Sequence, residues 1–388
     1  MVKVFDSLEA RWNFLIRNTS IFAALLFITT LCAASNSAQN CTPKFPFEKP
    51  WLGADAAYSI PLPDGRNVWI FGDTLTGDKR VVVHNEPRMV RNSIGISRCT
   101  AQGWELDYVI KRGPGGELED FFKPRKKDTW YWALDGFYHD EALWVTALCI
   151  RAVPVTSSAT LGFETCGADL AKVSGLDKDP QQWEVRVQPL VEDGVKAYPS
   201  ATALVHGDYA YLFALYEAGN RPLVATRVAL SKLESAAANL EYLAKDGTWK
   251  SGFEPKDAKP VMPRGNTELT IRYHPELKRW IGVMNYPWLF SDKLIVRTAP
   301  ELTGPWSEGT VVYRVPEMQK KSPGYDKDTF CYAGKEHSQF RDEDSILITY
   351  ACNTQKVEKL ATNNGIYFPQ VVRVPLSKFL SETKKAAK

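Results

Sequence analysis

Four acidic residues stand where strand patterns of this chain begin or end. Asp55 follows Gly53 and Ala54, Asp73 lies in Phe71-Gly72-Asp73-Thr74, Asp135 sits between Leu134 and Gly136, and Glu268 comes two residues after Asn266. Glu217 closes an apolar run, and Glu336 precedes His337. Carboxylates gathered round one cleft can cleave a glycosidic bond, one of them protonated to donate to the leaving oxygen and another ionised as base or nucleophile. Crowding would push their pKa values apart and supply both states. Arg91, Asn92, Asn266, Trp132, Tyr198 and Tyr286 could hold the substrate, as could Trp51, Tyr216 and Trp288. Amides and acids grip sugar hydroxyls, and aromatic faces stack on sugar C–H groups. Each candidate also has a structural reading. Asp55 and Asp73 could tie down turns, Asp135 between apolar neighbours needs a partner if buried, and His337 could face an axial ion through water or bond its neighbours.

Other chemistries find little support. The chain has no G-x-S-x-G, C-x-x-C or H-E-x-x-H pattern, and Asp246-Gly-Thr-Trp249 matches only part of a sialidase aspartate box, once. A formal net charge of +3 over 388 residues, with cations scattered among acids, argues against a nucleic-acid partner. His139, His206 and His274 recur just before hairpin turns, which points to structure.

The elements that would position the acids form a repeat. A polar or small strand start, a β-run, a tight turn and a strongly apolar strand recur at Gly53–Thr74, Trp132–Ile150, Tyr198–Glu217, Thr267–Pro287 and Lys335–Asn353. Starts spaced by roughly 65 to 80 residues suit one four-stranded propeller blade each. Third strands echo one another at Ala225–Leu233, Val371–Leu380 and, more weakly, Gly167–Leu176. The expectation is an all-β, five-bladed β-propeller over residues 39–380, with one short inserted helix in Ser231–Gly247, where Leu233, Leu240 and Leu243 have helical spacing. Trp104, Trp183, Trp249 and Trp306 fall late in the first four blades and should pack between sheets.

Arg11 and Arg17 followed by the apolar run Ile21–Ala34 and small polar residues read as a secretory signal peptide over 1–38. As a helix the run would reach about 21 Å, short of the roughly 30 Å of a bilayer core. Residues 381–388 read as a lysine-bearing disordered tail. Beyond Cys32 six cysteines remain, an even number that suits disulfides in a secreted or periplasmic protein, with Cys149–Cys166 and Cys331–Cys352 the favoured pairs.

The stretch WLGADAAYSIPLPDGRNVWIFGDT followed by MVRNSIGIS, Trp51 to Ser97, resembles the opening of the bacterial exported family known as uncharacterised domain 4185, grouped with endo-D-arabinanases of glycoside hydrolase family 183. RYHPELKRWIGVMN and APELTGPWSEGTVVY are similar to the fourth blade of propeller glycosidases of families 43 and 32. The resemblance implies a secreted glycoside hydrolase acting on furanosidic linkages of an arabinan-like polysaccharide. It gives Asp55 the role of base or nucleophile and makes Asp135 the acid that tunes pKa and orientation. Glu268 would be the general acid, with Asp73 or Glu217 as alternative partners, because the family 43 acid comes from an earlier blade. It implies no required cofactor, though some relatives hold a calcium or sodium ion on the axis, which His337 would approach. The rivals are a propeller that binds glycans without cutting them, and a sialidase-like or lyase activity needing an arginine cluster. A monomer with a poly- or oligosaccharide substrate, and no membrane partner once the leader is removed, completes the expectation.

Overall fold

The computed structural model describes residues 41–380 apart from 85, 157–161 and 288–290. The expected leader and tail, and Trp288, lie outside the described residues.

Five antiparallel sheets follow one another along the chain. The first comprises Trp51–Pro61, Asn67–Thr76, Ser93–Thr100 and Gly103–Val109; the second Thr129–His139, Ala142–Ala152, Phe163–Ser174 and Glu184–Glu192. The third comprises Ala197–His206, Tyr209–Tyr216 and Leu223–Ala229, with Glu241–Leu243 and Trp249–Ser251 outside them. The fourth holds Thr270–His274, Arg279–Asn285, Lys293–Ala299 and Thr310–Arg314, and the fifth Thr329–Glu336, Ser345–Thr354 and Gln370–Pro375. Each of the five repeats contributes the inner hairpin of one blade. The echoed third strands occupy third place in blades two, three and five.

The second strands read as nearly unbroken apolar runs because both their faces are covered by neighbouring blades. One apolar cluster fills each interface around the ring. Ile60, Ile70 and Val145 belong to the cluster between blades one and two, Trp144 and Leu212 to the next, and Phe213 and Ile271 to the third. Val283 and Ile348 meet between blades four and five, and Trp69 and Leu347 between five and one. Small residues on the inner strands, such as Ala54, Ala133, Ala203 and Gly334, let five strands converge on one axis.

The ring closes between blades five and one. Ser59 Oγ lies 2.6 Å from His337 Nδ1, and Arg80 reaches the carbonyls of Leu52 and Asn363 at 2.8 and 2.9 Å. The segment before blade one joins in: Phe45 packs edge-on against Trp69 at 4.9 Å, and Cys41 is disulfide-bonded to Cys99. Cys149–Cys166 and Cys331–Cys352 bridge neighbouring strands as expected. Trp183 is buried in the core between blades one and two, and Trp104, Trp249 and Trp306 pack partly buried against their own interfaces.

Residues 231–247 hold helical turns of a tighter kind than expected. Leu230–Ser235 and Ala237–Asn239 are 3₁₀ turns, which bury Leu233 and Ala236, and Leu243 belongs to an outer strand instead. Among the described residues no helix is long and apolar enough to cross a membrane.

Candidate active site

Four of the inner strands break register at a common level. The ladder shifts around Asp55, between Ala133 and Gly136, between Pro199 and Thr202, and between Tyr332 and Lys335. Bulges of this kind re-aim side chains. In blade one, Ala54 faces Thr74 and Ala56 faces Phe71, so Asp55 stands opposite both Gly72 and Asp73. Both acids are thereby delivered to one place. Gly72 leaves room for the Asp55 carboxylate, because a Cβ there would lie 2.3 Å from its Oδ1 and displace it.

Blade five completes the cluster from the other side of the closure. The Tyr332 hydroxyl donates to Asp55 Oδ2 at 2.6 Å. Ala333, with φ of 61°, and Gly334 form the bulge that swings Lys335 inward. Its Nζ donates to Glu268 Oε2 at 2.7 Å and to the Ala333 carbonyl at 2.8 Å, and lies 4.5 Å from the centre of the Tyr58 ring. Asn285 Oδ1 accepts from the Gly334 N–H at 2.6 Å, which holds the bulge in place.

The electrostatics follow from this crowding. Burial, then the charges of Asp73 and Glu268, push Asp55 up to about 8, against the Tyr332 hydrogen bond and Lys335. Burial pushes Asp73 up to about 6, restrained by Arg91 at 3.5 Å. Asp73 Oδ1 has no hydrogen-bond partner among the described residues. Side-chain exposures of 19% for Asp73, 18% for Glu268 and 41% for Arg91 show that the cluster opens to solvent. Arg91 covers Trp130 at 4.6 Å, and its N–H donates to Asp120 at 2.7 Å. From Asp120 a surface groove of about 670 Å³ continues past Lys123, Arg125 and Lys126.

Asp135 lies on the same ring in different surroundings. Its carboxylate accepts from Thr202 Oγ1 at 2.6 Å, from the N–H groups of Ala203 and Gly136 at 3.0 and 2.9 Å, and from Arg272 Nη2 at 2.9 and 3.0 Å. It is fully buried. Four donor groups, one of them the guanidinium of an ion pair, occupy its oxygens, so it ties blades two, three and four together.

Three residues expected at the rim are turned away from it. Asn92 is fully buried and clamps the Phe122 backbone and the Tyr131 carbonyl. Glu336 is buried against His274 at 2.7 Å, and both ring nitrogens of His337 are taken, by Ser59 at 2.6 Å and Thr349 at 2.7 Å. For Glu336 and His337 the fifth-blade bulge is the reason: it puts Lys335 toward the axis and its successors between blades.

The remaining candidates are spread round the cluster. Asn266 is half-buried and donates to the Asn285 carbonyl at 3.3 Å; Tyr286, beneath Lys293, is half-buried as well. Tyr198 and the exposed Glu217 line a small hollow with Ser200 and Thr267. Trp132 packs edge-on against Phe163 at 5.0 Å. Tyr332, Lys335 and Tyr367 escaped the sequence reading, and Arg272 entered it only as a possible member of an arginine cluster gripping a carboxylate. Tyr367, buried with φ of 62°, feels both Asp55 and Asp73, and burial holds it well above the usual tyrosine range. A lysine directly after the apolar run Cys331–Gly334 was the one visible signal.

The family described as domain of unknown function (DUF5005) matches residues 45–377. The chain belongs to that family. The opening motif had pointed to a different one, domain 4185. No curated protein matches this chain. Among solved structures, a protein of Bacteroides ovatus ATCC 8483, provisionally named a hydrolase, is similar with a TM-score of 0.66 and 17% identity over 87% of this chain and 89% of its own. That likeness shows a shared fold. A xylan β-1,4-xylosidase of Bacillus halodurans C-125 reaches a TM-score of 0.46 at 10% identity, covering 84% of this chain and 53% of its own. An exo-β-1,3-galactanase of Phanerochaete chrysosporium reaches 0.45 at 10% identity, covering 84% and 60%.

Proposed function

We propose that this DUF5005 protein is a glycoside hydrolase using paired carboxylates at the mouth of a five-bladed propeller. The observation that carries the reading is the convergence of Asp55, Asp73 and Glu268, with Asp55 pushed up to about 8 and Asp73 to about 6. Around neutral pH such a set holds one protonated and one ionised carboxyl group, the two states that glycosidic cleavage needs. Asp55 is then the proton donor, not the base that its first-blade position suggested. Asp73 is the ionised partner, and Glu268, held by Lys335, stands beside the pair. Asp135 serves as structure.

The groove that begins at Asp120, whose carboxylate accepts from the Arg91 backbone N–H, favours a polymer over a single sugar. The motif at Trp51–Ser97 makes furanosidic, arabinan-like chains the first candidates. Three disulfides support a secreted protein acting outside the reducing cytoplasm. The test is incubation of the purified protein with arabinan, arabinogalactan, xylan and galactan, reading released oligosaccharides beside folded Asp55→Asn and Asp73→Asn variants. Release that disappears in both variants supports the reading. Binding of a glycan without release, unchanged in both variants, overturns it in favour of a non-catalytic propeller.

A further inference from the structure

Propeller glycosidases that this chain resembles can hold a calcium or sodium ion on the axis, and the donors found here do not fit one. Calcium takes six to eight oxygen ligands. Most of the carboxylate oxygens on the inner strands are already engaged, those of Asp135 by Arg272, Thr202 and two backbone N–H groups, Glu268 Oε2 by Lys335, and Asp55 Oδ2 by Tyr332, which leaves fewer than six to eight for an ion. His337, the residue expected near such an ion, has both nitrogens engaged.

We propose that Lys335 is the resident counter-cation of the acidic cluster, taking the place of an axial metal ion and positioning Glu268. Its ammonium is fully shielded from solvent, a state a lysine rarely keeps without carboxylates around it. Glu268 of blade four is in direct contact with it, and Asp55 of blade one and Asp135 of blade two are near enough to act on it electrostatically. Tyr58 offers its ring face from blade one and is itself anchored, its hydroxyl donating to the Ala201 carbonyl at 3.0 Å. Arg272 and His337 are its other titratable neighbours on the ring, and Lys335 and Arg272 both disfavour a charge on His337. The Ala333–Gly334 bulge, with Asn285 locked onto Gly334, exists at the one place that turns this side chain inward. A tethered cation of this kind cannot be chelated away. It also ties Glu268 at a fixed point beside Asp55, and that part of the proposal rests on the hydrolase reading.

The experiment uses the full chain and reads thermal unfolding first. Wild type should unfold at the same temperature, within about 1 °C, with millimolar EDTA or millimolar calcium. Lys335→Ala should unfold at least about 5 °C lower, because it leaves Glu268 facing a cavity without its partner. Ethylammonium should restore part of that loss where equimolar sodium does not. Lys335→Arg, which keeps the charge, should remain closer to wild type than Lys335→Ala. On any polymer that wild type cleaves, Lys335→Met should move the upper limb of the pH–activity profile upward, since a charge that stabilises ionised Asp55 is gone. A lowered wild-type unfolding temperature in EDTA, with one divalent cation per chain by metal analysis, would overturn the proposal. So would a Lys335→Ala protein as stable as wild type. Should Lys335→Ala fail to fold, the chelation result and Lys335→Arg decide. The unfolding measurements need no substrate, so they stand even if the hydrolase reading fails.

Discussion

Two acids of adjacent blades, Asp55 and Asp135, occupy the bulged level of their inner strands, and their surroundings differ in one respect. Asp135 is met by a hydroxyl, two backbone N–H groups and a guanidinium, all at 3.0 Å or less. Asp55 is met by one hydroxyl at 2.6 Å and by the charges of two other acids. Donors occupy the first carboxylate and hold blades together through it, while neighbouring acids disfavour a charge on the second, which keeps a proton to give. Counting donors around a carboxylate separates structure from chemistry here better than counting carboxylates.

The largest expected effect tests the reactive half of that contrast. Asp55→Asn should lower kcat by about 1,000-fold, within the range for a lost general acid, and should leave the unfolding temperature unchanged or raised, because it removes a repelled acid. Arg272→Met should do the reverse. It leaves Asp135 buried without its cation and should cost about 3–5 kcal/mol of stability, read by urea unfolding, while the surviving folded protein keeps most of its activity.

pH separates the two acids next. Asp55 in the folded protein is pushed up to about 8, against about 3.9 in an unfolded chain. Between those values the folded state holds a proton that the unfolded state has released, so Asp55's contribution to stability falls as pH rises through that window. Unfolding temperatures measured from pH 4 to pH 8 should decline in wild type and flatten in Asp55→Asn. Activity should follow a bell whose limbs, near 6 and 8, belong to the coupled acids together. Gly72→Ala is a milder perturbation, since its Cβ would sit 2.3 Å from Asp55 Oδ1 and displace that carboxylate. It should cost about 1–3 kcal/mol in stability and lower kcat by a larger factor than KM. The smallest effect is expected of Glu336→Gln, which should leave kcat unchanged, as the residue is buried against His274 away from the acids.

Much of this architecture was legible in the chain. The five hairpins, their third strands and the pairs Cys149–Cys166 and Cys331–Cys352 lie where alternation and spacing put them, because those signals are local. The gathering of Asp55, Asp73 and Glu268 followed from a propeller's geometry once blades were counted. What could not be read is what the bulges change. Starting the fifth inner strand at Lys335 puts Glu336 and His337 at the rim, whereas the strand begins at Thr329 and its bulge at Ala333–Gly334 gives that place to Lys335. Asp135 looked costly and therefore functional; its partner Arg272 stands 137 residues away, beyond any local pattern. The leucines of Ser231–Gly247 suggested a helix, yet a segment this short gains little from helical bonding alone, and docking against blades two and three settles it into 3₁₀ turns and a strand.

The most direct test of the contrast is an NMR titration of side-chain carboxyl carbons in protein labelled at aspartate, with Asp55→Asn for assignment. The account predicts one aspartate titrating near 8 that is missing from the variant spectrum. If every aspartate, Asp55 included, is ionised by about pH 5, close to the ordinary range, then Asp55 holds no proton at neutral pH and the distinction drawn between the two acids is contradicted.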